Sequence, residues 1–241
     1  MSSQHETSGT GNAVVIGASG GIGAALADAL ERDPRFARVH RLSRRGAIPL
    51  DLCDAASIEA AAAMLAKHIG ENGAALRLVI VASGFLHDSE LKPERSLAEL
   101  NAERFARAFA INATGPALVA KHFLPLMPKR ERSVLAVLSA RVGSIGDNRL
   151  GGWHAYRASK AALNQIVRTV AIEEARRAPG RIVAALHPGT VDTALSQPFA
   201  RNGLAVVSPA EAAGRLLRVI DGLHQRDSGG FFNHDSALLP W

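Results

Sequence analysis

The sequence predicts a single α/β domain: a doubly wound, mostly parallel sheet with helices on both faces. Three observations predict it. Short apolar runs alternate with helix-periodic stretches from Ala13 to the end of the chain. The runs are apolar throughout, as strands are when both faces are covered. The first run passes directly into a glycine-rich turn and then a helix, the opening unit of such a sheet.

The elements follow in order. Ala13–Ile16 is the first strand, and Gly17-Ala18-Ser19-Gly20-Gly21-Ile22-Gly23 is the turn. Apolar residues recur at helical spacing from Ile22 to Leu30. Val39–Leu42 reads as a second strand and Ile48-Pro49-Leu50-Asp51 as a short third. Ala55–His68 is an alanine-rich helix. Leu76–Val81 is a strongly apolar strand, closed by Ala82-Ser83-Gly84. Ala102–Met127 is one long helical stretch with an irregularity at Gly115-Pro116, where proline interrupts the hydrogen-bond ladder. Ser133–Leu138 is the next strand. Tyr156–Arg177 is a long helix ended by Ala178-Pro179-Gly180. Arg181–Leu186 is a strand closed by His187-Pro188-Gly189. Ser208 is a good N-cap for a helix to His224, with Pro209 at its first position. Gly230-Phe231-Phe232-Asn233 forms a last edge strand. The irregular stretch from Thr190 to Val207 is a candidate lid beside the carboxyl edge of the sheet. Met1–Gly11 is polar and reads as a flexible tail, which leaves 12–241 as the domain.

Composition bounds the function. The 241 residues are 47% apolar, enough for one large core. No apolar run is long enough to span a membrane, and the start lacks the apolar segment of a secretory signal. The single cysteine, Cys53, excludes an internal disulfide and a cysteine-based zinc site, so a reducing, cytoplasmic setting is the default. The histidines show no metal-ligand spacing, and no metal is expected. The net charge of +6 raises the question of nucleic acid. However, the arginines are scattered and aromatics are only 5%, which points instead to an anionic small molecule.

A strand, a glycine-rich turn and a helix form a phosphate cradle, because backbone N–H groups at a helix start face the anion. The spacing uses Gly17, Gly21 and Gly23, with Ser19 and Ile22 between them. The same residues match Gly-x-Ser-x-Gly, the nucleophile elbow of hydrolases. That elbow follows several strands, whereas one strand precedes this turn. A turn without ligand is the plain alternative. The end of the second strand then selects the cofactor. A carboxylate there would bind the ribose 2′-hydroxyl of NAD. This chain has Leu42-Ser43-Arg44-Arg45 instead, and Ser43 and Arg44 suit the 2′-phosphate of NADP(H). Solvated surface arginines are the alternative.

Tyr156 is the only tyrosine, and Lys160 follows four positions later. On a helix the two share a face. A cation beside a phenol favours the phenolate and lowers the phenol's pKa, which makes it a usable proton donor and acceptor.

Together these motifs resemble the short-chain dehydrogenase/reductase family, a Rossmann-type fold, in its compact single-domain branch. The resemblance runs from about Ala13 to the end. It rests on Gly17-x-x-x-Gly21-x-Gly23, Asp51, Asn112, Tyr156-x-x-x-Lys160, and Pro188-Gly189 with Thr193, in family order. Tyr156-Arg157-Ala158-Ser159-Lys160-Ala161-Ala162-Leu163-Asn164 and the ending Pro240-Trp241 are similar to the C-factor and carbonyl-reductase-like subgroup. The resemblance implies roles by position. Asp51 and Leu52 would lie at the adenine. Asn112 would hold a water linking Lys160 to solvent. Tyr156 would exchange a proton with the substrate oxygen. Lys160 would bind the nicotinamide ribose and lower the pKa of Tyr156. Pro188, Gly189 and Thr193 would flank the nicotinamide. It also implies a homo-oligomer paired through the helices at Ala102–Met127 and Tyr156–Arg177.

Two positions depart from the family pattern. Asn-Asn-Ala-Gly after the fourth strand is here Val81-Ala82-Ser83-Gly84, a subgroup variation that leaves Ser83 and Gly84 beside the cofactor. The family's catalytic serine precedes a glycine by three positions, and Ala140 stands there. Ser139 is one residue early, and one step along a strand reverses a side chain. A bulge restoring Ser139, a substitute in Ser144, or neither are the three options. His154 reads as a loop residue and His187 as a structural one. Trp153 either lines the site or covers its loop. The expected activity is NADP(H)-dependent reduction of a carbonyl, or oxidation of an alcohol, on a small neutral or apolar substrate. The alternative is a cofactor-binding regulator or signalling protein with little catalysis.

Overall fold

The structure, a computed structural model, describes residues 10–88, 92–196 and 206–241. Most of the expected tail and the centre of the expected lid, 197–205, lie outside the described residues. The elements are β1 (Gly11–Ile16), α1 (Gly21–Glu31), β2 (Phe36–Ser43), β3 (Ile48–Pro49), α2 (Ala55–Asn72), β4 (Leu76–Val81), α3 (Ala102–Phe109), α4 (Gly115–Phe123), β5 (Ser133–Leu138), α5 (His154–Arg177), β6 (Arg181–His187), β7 (Thr190–Val191), β8 (Val206–Val207), α6 (Pro209–Gly222) and β9 (Phe231–Asn233).

Seven strands form one sheet in the order β3-β2-β1-β4-β5-β6-β9, with every neighbouring pair parallel. The chain leaves β1 towards one edge and returns at β4 towards the other. The crevice at that reversal opens at the carboxyl ends of the strands, where ligands of such sheets bind. β7 and β8 pair separately beside it.

Two cores sandwich the sheet. Val14, Ile16, Val79, Val81, Leu135, Val137, Val183 and Ala185 face α2, α4 and α5. Val15, Ile80, Val134, Ile182 and Leu186 face α1 and α6. Alternate residues of the central strands β1, β4, β5 and β6 enter opposite cores, so these strands are apolar over most of their length. Each fully buried large side chain, such as Phe123 or Phe231, contributes about 1.5–3 kcal/mol.

Local chemistry sets the helix ends. Asp54 accepts the Ala56 N–H at the start of α2, and Gly73 ends it at φ +67°. Ser208 accepts the Glu211 N–H at the start of α6, behind Pro209. Three expectations need correction. Gly11 and Asn12 belong to β1, where the Asn12 amide donates to Ala74 O and exchanges hydrogen bonds with Asn72. The tail is therefore shorter than expected. Ala102–Met127 is not one helix: a π turn at Ala110–Thr114 separates α3 from α4, and a 3-10 turn follows. Pro116 has no N–H for the carbonyl of Asn112, and the wider turn absorbs that loss. α5 begins at His154, two residues before Tyr156.

Candidate active site

The glycine turn is held by close approach. Gly17 adopts φ +85°, and a Cβ there would collide with Ser83 Oγ and the backbone at Ala82–Ser83. A Cβ on Gly23 would collide with the Gly17 carbonyl. β1, β4 and α1 therefore meet at a spot that only glycine permits. α1 starts with no side-chain cap and no acid in its first turn, so its first N–H groups face the crevice as anion donors. Thr193 closes over the turn, with its methyl 3.0 Å from where a Gly21 Cβ would stand. Ile22 packs into the α1–α6 core.

A cavity of about 530 Å³ lies beside the turn, lined by Ser19, Ser43, Arg44 and Arg45. Nearby Arg41 is neutralised by Asp28 and Glu31. Among the described residues, no carboxylate pairs with Arg44 or Arg45. Two uncompensated guanidinium groups, two hydroxyls and a helix start suit an anion, and the donor set fits a 2′-phosphorylated dinucleotide. At the far wall, Asp51 Oδ1 accepts the Cys53 N–H at 2.9 Å, and Ser57 Oγ accepts the Asp51 N–H at 3.0 Å. Leu52 is buried against Gly115 of α4.

Lys160 and Asn112 converge under Gly84. A Cβ at Gly84 would stand 3.7 Å from Lys160 Nζ and 3.8 Å from Asn112 Oδ1. Tyr156 and Lys160 are both buried on the sheet side of α5. Lys160 Nζ lies 5.9 Å from the Tyr156 ring centroid and donates to Leu138 O at 2.8 Å. Asn112 is turned inward by the π segment. Its Oδ1 accepts the Phe85 N–H at 2.8 Å, and its Nδ2 donates to Phe85 O at 2.8 Å and to Ser159 Oγ at 3.0 Å. Ser159 Oγ in turn donates to Tyr156 O at 2.8 Å. Asn112 thus clamps the loop after β4 to the first turns of α5.

Ser139 continues the alternation of Leu135 and Val137, so its side chain lies on the α5 side of the sheet. No bulge is needed to direct it there. Its hydroxyl donates to Asn164 Oδ1 at 2.7 Å. Ser144 Oγ donates to Trp241 O at 3.2 Å and accepts the Asp147 N–H at 3.1 Å. Neither serine is hydrogen-bonded to the Tyr156 hydroxyl.

The electrostatics differ from expectation. Burial pushes the Tyr156 phenol well above its ordinary pKa. Burial also pushes Lys160 down to about 7. Burial with no carboxylate beside it removes the water that would stabilise the ammonium, just as it removes the water that would stabilise the phenolate. The Tyr156 shift therefore runs opposite to the expected lowering.

At the end of β6, Gly189 adopts φ +79° with the His234 ring packed where a Cβ would go. The Thr193 N–H donates to Ser196 Oγ at 3.2 Å. His187 is held down to about 4, chiefly by burial, and its Nδ1 is buried without a partner. His187 is therefore not the satisfied structural residue expected from its place at the end of a strand.

Sequence reasoning missed several residues. Ser159 carries the Asn112 clamp to Tyr156, and its place between Tyr156 and Lys160 was a signal. Leu195 reaches within 4.0 Å of the Gly84 Cβ position, and its carbonyl contacts His87 Nε2 at 3.1 Å. Glu94, far off in sequence, meets the start of α5 and gave no sequence signal. Among the described residues no helix is long and apolar enough to cross a membrane, and no group of His, Cys, Asp or Glu could hold a metal.

The family described as enoyl-(acyl carrier protein) reductase matches residues 9–221. The C-signal protein of Myxococcus xanthus is 38% identical over 146 residues, 61% of this chain and 84% of that protein. The 1-hydroxy-2-glutathionyl-2-methyl-3-butene dehydrogenase of a Rhodococcus species is 32% identical over 192 residues, 80% of this chain and 78% of that protein. The solved NADPH-bound carbonyl reductase from chicken fatty liver superposes with a TM-score of 0.84 at 25% identity, covering 97% of this chain and 95% of that one.

Proposed function

Because the chain belongs to the short-chain dehydrogenase/reductase family, in its C-factor and carbonyl-reductase-like branch, we propose that it is an NADP(H)-dependent carbonyl reductase using Tyr156 as the proton donor. The observation that carries this reading is the convergence of Lys160 and Asn112 beneath Gly84, beside Tyr156, in a fold that also carries an arginine-lined cavity at the glycine turn.

Ser19, Ser43 and Arg44 would hold the 2′-phosphate, with Arg45 beside them. Gly17, Gly21, Ile22 and Gly23 would present the helix start to the pyrophosphate. Asp51 and Leu52 would border the adenine, and Ser83 and Gly84 the ribose. Pro188, Gly189 and Thr193 would flank the nicotinamide. When bound, NADPH supplies a hydride to the carbonyl carbon. Tyr156 gives its phenolic proton to the substrate oxygen as negative charge develops there. Burial keeps Tyr156 protonated until that moment. Lys160, near neutrality by burial, turns from Leu138 O to the ribose and to the phenol. Asn112 holds Gly84 and the first turns of α5 in register through Phe85 and Ser159. Ser139, on the α5 side of β5, steadies the oxyanion with its hydroxyl once released from Asn164. The substrate is a small carbonyl or alcohol compound.

One observation favours a second reading, a cofactor-binding regulator. The family's serine position holds Ala140, and the Ser139 hydroxyl donates to Asn164 Oδ1. The test is oxidation of NADPH and NADH across aldehydes, ketones and quinones, beside Tyr156→Phe. Turnover that prefers NADPH and collapses in the variant supports the reductase. Tight NADPH binding with no turnover, equal in both proteins, supports the regulator.

A further inference from the structure

The first turn of α5 carries Tyr156, yet it has no cap of its own. The residue before it, Trp153, is left-handed at φ +52°, and its side chain caps nothing. Gly151 and Gly152 before it are also left-handed, at φ +63° and +65°. A bulky residue in that region is strained and persists only when its surroundings fix it.

Glu94 fixes it. Its carbonyl accepts the Trp153 N–H at 2.5 Å, and its carboxylate Oε2 accepts the Ala155 N–H at 3.3 Å. Glu94 is 1% exposed. Its Oε1 faces Arg104 Nη1 of α3 at 3.8 Å. A carboxylate at a helix start is favourable, and here it supplies an acceptor that the local sequence lacks. The Trp153 ring meets the Tyr156 ring edge-on at 6.3 Å. The segment held by Glu94 therefore contacts the Tyr156 ring directly.

We propose that Glu94 is a positioning residue for Tyr156: from outside the helix it pins Trp153 and the first turn of α5, and so sets where the phenol stands. This rests on the reading that Tyr156 is the proton donor. The other charged groups nearby are Arg104, which faces Glu94, Arg157, whose guanidinium donates to the carbonyls of Gly151 and Gly152, and Lys160, one turn further along α5.

The experiment compares Glu94→Ala, Glu94→Gln and Glu94→Asp in the full chain. Because Tyr156 is the only tyrosine, the ultraviolet absorbance of phenolate follows its ionisation alone, with or without a substrate. Glu94→Ala is expected to lower kcat about 10- to 100-fold, as misplacement of a reacting group does, with NADPH affinity within about twofold. The Tyr156 titration midpoint should fall, because a loosened turn admits water to the phenol. Glu94→Gln keeps the acceptor for Ala155 and should restore most of both properties. Glu94→Asp keeps the charge but withdraws it by one methylene, and should resemble Glu94→Ala. Three results would overturn the proposal: an unchanged Tyr156 titration in Glu94→Ala, a fully active Glu94→Asp, or a Glu94→Gln as impaired as Glu94→Ala. If Glu94→Ala does not fold, the comparison of Gln with Asp decides alone. An inactive wild type would sink the reductase reading, while the Tyr156 titration would still judge Glu94.

Discussion

Lys160 Nζ rests 2.8 Å from the carbonyl oxygen of Leu138, the last residue of β5, and burial alone moves its pKa. Its folded-state pKa of about 7 lies below the ordinary 10.5. Between those values the unfolded chain binds a proton that the folded chain does not. Stability therefore rises with pH across that window, by up to about 1.4 kcal/mol per unit. Tyr156 acts in the opposite sense above pH 10, where the unfolded chain loses a proton that the folded phenol keeps. Lys160→Met should flatten the rise between pH 7 and 10 in urea midpoints of the cofactor-free protein. The fall in stability from pH 6.5 towards 4, set by buried neutral His40 and His187, should persist in the variant. A rise that survives in Lys160→Met would show that another group is responsible.

Arg44 has no carboxylate partner among the described residues and lines the cavity with Ser43. Charge-assisted hydrogen bonds to a phosphate are worth about 1.5–3 kcal/mol. Arg44→Ala should weaken NADPH binding about 10- to 100-fold and leave NADH binding within a few-fold. Titration of both nucleotides against protein fluorescence checks this. Equal losses for the two would place Arg44 elsewhere than at the 2′-phosphate.

The Asn112 amide satisfies both the N–H and the carbonyl of Phe85. Asn112→Ala leaves these buried groups without partners and should cost about 2–4 kcal/mol. Asn112→Asp should be no better, since a carboxylate would face the Phe85 carbonyl it must not repel. Thermal unfolding measures both variants. A loss under about 0.5 kcal/mol in Asn112→Ala would mean that water replaces the amide.

The two serines are separable because they face different partners. If Ser139 steadies the oxyanion, Ser139→Ala should lower kcat about 10²-fold. Ser144→Ala should keep kcat within a few-fold while loosening the contact to Trp241. Steady-state kinetics of the pair reads the difference, and the reverse ranking would assign the role to Ser144.

Much of the fold was legible because its signals are local. Leu76–Val81 and Ser133–Leu138 have the expected bounds, since an apolar run between polar turns has one way to bury both faces. The ends that moved depend on partners elsewhere. β2 starts at Phe36, earlier than its apolar run, because Arg38 and His40 pair with β1 through backbone alone. α5 starts at His154 because its acceptor, Glu94, comes from 61 positions upstream of Ala155. The irregularity expected at Gly115-Pro116 appears one turn earlier, because the carbonyl that proline cannot serve belongs to Asn112.

The sequence by itself determined the doubly wound sheet, the glycine turn, the arginines after β2 and the shared face of Tyr156 and Lys160. Each is encoded by residue type at short spacing, and backbone geometry converts short spacing into position without further information. Only the tertiary structure decided that Asn112 clamps Phe85, that Ser139 faces Asn164, and that Tyr156 and Lys160 have shifted pKa values. Those outcomes depend on which groups meet across the fold and how much water remains. Desolvation is a property of the packed assembly and of no single stretch of chain.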